Sequence, residues 1–177
     1  MAKEYKKRLQ ERLNIKNINA VPHIDSVIVS MGIWSIVTRK WHKDFEEFER
    51  NLTMITGQKP RLLKAKKAIS NFKLREWMPV MLQCTLRWNR AEDFLDRLCK
   101  LILPRIRDFE WTNKRSFDNQ ANLNIWIKNY NIFPELWVDD VTIPMWLGIT
   151  IVTTTNNKEE SQALLEALSF TRYNSQQ

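Results

Sequence analysis

Apolar residues fall into two kinds of period along this chain, and the two alternate. Trp41, Phe45, Phe48, Leu52 and Ile55 step by four and three, with Asp44, Glu46, Glu47, Glu49 and Arg50 on the other faces, which predicts an amphipathic helix over 41–55. The same spacing in Phe94, Leu95, Leu98 and Ile102 predicts a helix over 91–103. Pro104 should stop it by withholding a backbone donor from the next turn. Ala163, Leu164, Ala167 and Leu168 predict a third helix over 158–168, and Tyr5, Leu9 and Leu13 give the N-terminus a helical spacing too. Between them the period drops to two. Val80, Leu82, Cys84 and Leu86 alternate with Met81, Gln83, Thr85 and Arg87, so one set faces a core and the other a partly polar sheet face. Segments 27–31, 123–128 and 147–154 are strand-like as well, the last rich in β-branched residues. Irregular alternation of this kind predicts an α+β fold: an antiparallel sheet with helices packed on one face, as one domain over 21–170. A helical segment (1–20) should precede it and a short tail (171–177) follow.

Charge narrows the partner. The 177 residues hold 28 Lys and Arg against 20 Asp and Glu, a net charge of +8, which favours a polyanion. No run approaches the roughly 20 apolar residues of a membrane span, and the basic N-terminus lacks the apolar core of a secretory signal. No membrane role is expected. Cys84 and Cys99 stand among apolar residues without a paired-cysteine motif, and His23 and His42 are isolated from them, so buried, inert thiols and no metal or cofactor are expected. An enzyme would need a nucleophile with its base, paired carboxylates or a phosphate-binding glycine loop, and none stands at a recognisable spacing. Asp139 and Asp140 read as a surface turn, because neighbours on an extended segment point to opposite sides.

Positive charge is concentrated over 57–75, where Lys59, Arg61, Lys64, Lys66, Lys67, Lys73 and Arg75 occur without an acidic residue. Such a run is either a solvated loop or a phosphate-binding surface. It leads directly into the strand that offers Gln83, Thr85 and Arg87 outward, and Gln58 stands at its start. Hydrogen-bonding groups therefore accompany the charge, which favours RNA. Ser70, Asn71 and Phe72 interrupt the lysines and suit a loop with an apolar tip able to touch a second RNA.

Several motifs along the chain resemble one family. Thr56-Gly57-Gln58-Lys59-Pro60, Lys64-Ala65-Lys66-Lys67, Phe72-Lys73-Leu74-Arg75-Glu76 and Met78-Pro79 come first. Thr85-Leu86-Arg87, Phe94-Leu95-Asp96-Arg97-Leu98, Pro104-Arg105-Ile106-Arg107-Asp108-Phe109, Lys114-Arg115-Ser116-Phe117-Asp118, Ile132-Phe133-Pro134-Glu135 and Ile149-Thr150-Ile151-Val152-Thr153-Thr154 follow in the same order. Together they resemble ribosomal protein L5, a 5S rRNA-binding family of the large subunit, over about 21–170. The resemblance implies a place in the central protuberance and contacts with 5S rRNA, large-subunit rRNA and neighbouring ribosomal proteins. It also implies contact with the P-site tRNA, and with a small-subunit head protein across an intersubunit bridge. It assigns 5S rRNA contacts to Gln58, Thr85 and Arg87, and to Ser26 and Ser30, which stand where the family commonly has Lys and Asn. Lys59, Lys64, Lys66 and Lys67 are expected on phosphates, and the loop 69–78, with Ser70, Asn71, Phe72, Lys73 and Arg75, on the tRNA.

Glycine is the main departure from this pattern. Trp34, Trp77, Trp88, Trp111, Trp126 and Trp146 fall at or beside positions where the family carries Gly, leaving only Gly32, Gly57 and Gly148. Two explanations stand: a codon written as Trp is decoded as Gly, or the chain has diverged and its tryptophans pack against added RNA or protein. Either points to an organelle, so a mitochondrial ribosome is expected, with the bacterial cytoplasm as the alternative. A protein-docking or assembly factor without specific RNA readout, using the aromatics as anchors, is the alternative function.

Overall fold

A computed structural model describes residues 2–40, 45–106, 116–136, 143 and 145–168, without side chains at 2–5 and 39–40. The 158–168 and 91–103 readings hold in substance, and the 41–55 reading holds over 46–55. α1 (Ala2–Leu13) is followed by β1 (Ile24–Gly32), α2 (Trp34–Lys40), α3 (Glu46–Thr56), β2 (Arg61–Lys64), β3 (Pro79–Arg87) and α4 (Asn89–Arg97). Then come β4 (Leu123–Ile127), β5 (Leu147–Thr153) and α5 (Lys158–Ala167). Positions 41–44 of the predicted 41–55 helix lie outside the described residues, as do Asp139, Asp140, His42, Trp111 and the tail 171–177. α2 was not foreseen, because its seven residues, WSIVTRK, are too few to show a period. α4 passes into a π turn at Leu98–Ile102 and a 3-10 turn at Leu103–Arg105 that contains Pro104. The proline thus loosens the helix over its last turns.

The five strands form one antiparallel sheet in the order β2-β3-β1-β5-β4. The chain divides into two compact units, one of residues 1–27, 87–124 and 150–177, the other of 28–86 and 125–149. In the first, Leu9 of α1 packs with Val21, Ala163 and Leu164, and Arg12 pairs with Glu166 at 2.7 Å. In the second, α3 buries Phe48, Leu52 and Ile55, and β3 buries Leu82, Cys84 and Leu86. Each large apolar side chain so buried contributes about 1.5–3 kcal/mol. Val80, expected in the core with them, is half-buried near the strand's start.

Alternation along the strands separates a core face from an open one. In β1, Val27, Val29 and Met31 are buried while Ile28 and Ser30 are half-exposed. In β4, Leu123, Ile125 and Ile127 are buried while Trp126 is exposed. The β2–β3 register sets Arg61 opposite Gln83 and Leu62 opposite Leu82, so Arg61 shares the open face and Leu62 the core face. Arg61–Lys64, read from sequence as basic loop, is therefore a sheet strand. Four residues with two Leu between two cations carry too little alternation to reveal it.

Candidate nucleic-acid interface

The corner after α3 is built to hold Gln58. Gly57 closes the helix in the left-handed conformation (φ 66°), its N–H donating to the Thr53 carbonyl at 2.8 Å, as a glycine at a helix C-terminus does without penalty. The buried Thr56 hydroxyl donates to Leu52 O at 2.7 Å and to Gln58 O at 3.0 Å, and Cys84 Sγ donates to Gln58 O at 3.7 Å. Gln58 Nε2 then reaches the Thr85 carbonyl at 3.4 Å. The sequence pairing of Gln58 with Thr85 is thus a spatial one. Thr56, which anchors the corner, heads the first family motif but was given no role from sequence, since a lone buried hydroxyl leaves no pattern.

Thr85 and Arg87 stand two apart on β3 and so share the open face. In the first unit, Arg87 Nη1 lies 3.6 Å from Asp25 Oδ2, an exposed pair worth at most about 1 kcal/mol that still restrains the guanidinium. An arginine held this way keeps most of its five donors for a bidentate acceptor such as phosphate. Asp25 was missed in sequence because nothing there shows it facing Arg87. The same open face carries Thr150, whose hydroxyl donates to Asn124 Oδ1 at 2.7 Å.

Ser26 and Ser30 are placed less favourably than expected. Ser26 is buried, 3 % exposed, and its hydroxyl donates to Asp25 Oδ2 at 3.2 Å; it reaches the surface only through that carboxylate. Ser30 is half-exposed and donates to Gly148 O at 3.3 Å. A Cβ on Gly148 would meet Ser30 Oγ at 2.9 Å and the Trp126 ring at 3.0 Å, so glycine is what lets the serine and the indole close over that strand.

Beyond β2 the chain runs out as an irregular hairpin. Ala65 N–H donates to Met78 O at 2.8 Å and Trp77 N–H to Ala65 O at 2.9 Å. Ile69 and Leu74 exchange both backbone bonds, at 3.0 and 3.1 Å. A 3-10 turn, Ser70–Phe72, and Lys73 in the left-handed region (φ 54°) close the tip. Ser70, Asn71, Lys73 and Arg75 are exposed, as are Lys64, Lys66 and Lys67. Among the described residues no acidic group pairs with Lys64, Lys66, Lys67 or Lys73, whereas Lys59 is paired with Glu49 at 3.2 Å. Lys59 is therefore the weakest of the four lysines expected on phosphate. Phe72, 54 % exposed, does not stand alone at the tip: its ring meets Trp34 edge-on, centroids 6.0 Å apart at 73°.

Elsewhere, burial and the nearby Asp96 carboxylate push the half-buried Cys99 thiol up to about 12. No group of three or more His, Cys, Asp or Glu able to hold a metal occurs among the described residues, and no described helix is long and apolar enough to cross a membrane.

The basic hairpin runs directly into the half-polar strand, and comparison with known proteins gives the chain's class as ribosomal, structural rather than enzymatic. A family model described as Ribosomal protein L5 matches residues 17–75, and a model of the C-terminus of the same ribosomal family matches 79–171. The chain is 41% identical over 167 residues to the large ribosomal subunit protein uL5 of Thermus aquaticus, covering 94% of this chain and 91% of that one. To the protein of the same name from Syntrophotalea carbinolica it is 43% identical over 162 residues, covering 92% and 87%. To that of Streptococcus pneumoniae it is 42% identical, covering 92% and 89%. The chain belongs to the ribosomal protein L5 family.

Proposed function

We propose that this chain is a structural constituent of the large ribosomal subunit that binds 5S rRNA, with Thr85, Arg87 and Gln58 meeting the RNA and Lys64, Lys66 and Lys67 its phosphates. The observation that carries this reading is the joining of Gln58 to the Thr85 carbonyl two residues from the exposed Arg87, on the face of β3 opposite its buried residues. At 3.4 Å the amide bond is long, and a better acceptor can displace it. The hairpin 69–78, with Ser70, Asn71, Phe72, Lys73 and Arg75, is the element proposed to reach the P-site tRNA. A small-subunit head protein is the further partner, and the central protuberance the proposed position. Bacterial relatives at 41–43% identity favour a ribosome of the bacterial cytoplasm over the mitochondrial setting.

The test is binding of the purified chain to its cognate 5S rRNA and to an unrelated RNA of equal length across a salt series. Selective binding that weakens with salt is expected, and joint replacement Gln58→Ala, Thr85→Ala and Arg87→Ala should abolish the selectivity. Equal, weak binding to both RNAs would leave only a charge effect and favour a chain held by protein neighbours.

A further inference from the structure

The tryptophans among the described residues stand largely outside the core, although Trp34 meets Phe72 edge-on and Trp126 closes over Gly148. Trp34, Trp77, Trp88, Trp126 and Trp146 are the tryptophans among the described residues, and all five are exposed, from 40 % at Trp34 to 83 % at Trp88. The largest fully buried side chains among the described residues are Tyr130, Phe48, Phe94 and Phe133, followed by Leu, Met and Ile. Among the described residues five non-glycines have positive φ, and two of them are tryptophans, Trp77 (φ 65°) and Trp88 (φ 55°). Only a few per cent of non-glycine residues adopt such angles, and for a bulky one it is an outlier.

The fold holds both residues at these angles, and neither indole is buried in return. Trp88 has φ 55° and ψ −134°, the first central conformation of a type II′ turn, which glycine supplies. Its carbonyl accepts from Ala91 and Glu92 at 3.0 and 3.1 Å, so the first turn of α4 hangs on that conformation. Trp77 donates to Ala65 at 2.9 Å and closes the hairpin on β2. A ring that was 72 % or 83 % exposed gains little burial to offset a strained backbone. Asn14, by contrast, has positive φ just past the end of α1, where asparagine is tolerated. Composition points the same way: a chain of this length ordinarily holds about 12 glycines, against three here beside eight tryptophans.

We propose that positions 77 and 88 are glycine in the protein as its own cell makes it, because the codon read here as tryptophan is decoded there as glycine. A codon is decoded alike wherever it occurs, so each of Trp34, Trp126 and Trp146 that shares the codon changes with them. The tryptophans so replaced then cease to be candidate docking anchors. This inference does not depend on which RNA the chain binds.

The experiment is mass spectrometry of the protein isolated from large ribosomal subunits of cells that carry the gene. Cleavage after glutamate releases fragment 77–92, bounded by Glu76 and Glu92, with both sites inside it. The expected fragment is lighter than the written sequence by twice the tryptophan–glycine mass difference, with fragmentation locating glycine at 77 and 88. Tryptophan at either position overturns the proposal.

Discussion

Replacing Trp77 by glycine and, separately, by alanine isolates the backbone cost at that site, because both variants lose the indole and differ only in the Cβ. An L-residue in the left-handed region costs about 1–2 kcal/mol that glycine does not pay. Glycine gives back about 0.4–1 kcal/mol through the greater freedom of its unfolded chain. At φ 65° the balance makes Trp77→Gly the more stable variant by about 0.5–1 kcal/mol. Trp126 is the control: it lies mid-strand in β4, away from positive φ, where glycine is worse than alanine by about 0.5–1 kcal/mol. The order of the pair should therefore invert between the two sites. Guanidinium midpoints and thermal unfolding read both, and 1 kcal/mol corresponds to about 2–4 °C in a domain of this size. An alanine variant at 77 as stable as its glycine counterpart would refute the reasoning, since the strain would then be absent or relieved by local rearrangement.

Three further outcomes are expected. Replacing Lys64, Lys66 and Lys67 by Gln should reduce the salt slope of RNA binding by about 2–3 with little change in RNA preference; an unchanged slope would remove these side chains from the phosphates. Cys99, its thiol pushed up to about 12 by burial and by Asp96, should react with iodoacetamide at pH 8 far more slowly in the folded protein than in denaturant. Equal rates would contradict that environment. For Asp118, burial raises the carboxyl pKa, but hydrogen bonds from the Asn122 side chain and from the Asn122 and Gln120 backbones bring it below its ordinary value. Because the folded value is the depressed one, the stabilisation is present above the ordinary carboxylate range and lost as pH falls through the folded value. The stability difference between the natural chain and Asp118→Asn should thus shrink on acidification, and a constant difference would disprove the linkage.

Periodicity alone made the α+β class, the long strands and the α3, α4 and α5 faces legible, because a buried face imposes its repeat on every residue of an element. Leu82, Cys84 and Leu86 in β3 and Phe48, Leu52 and Ile55 in α3 are where that repeat placed them. Charge density marked the basic stretch in the same way, but not its conformation. Arg61–Lys64 became a strand by pairing with residues 79–83, a partnership distant in sequence.

Only tertiary structure decided which site residues face outward with their groups available. Ser26 and Ser30 have the right chemistry, yet one is buried against Asp25 and the other bonds Gly148, and Lys59 is taken by Glu49. Conversely, Asp25 and Thr56 became visible as supports of Arg87 and Gln58 only when strands and helix were brought together. The physical reason is the same in each case. Burial patterns are local and repeat along one element, whereas hydrogen bonds and ion pairs join single atoms from elements that the chain order does not place side by side.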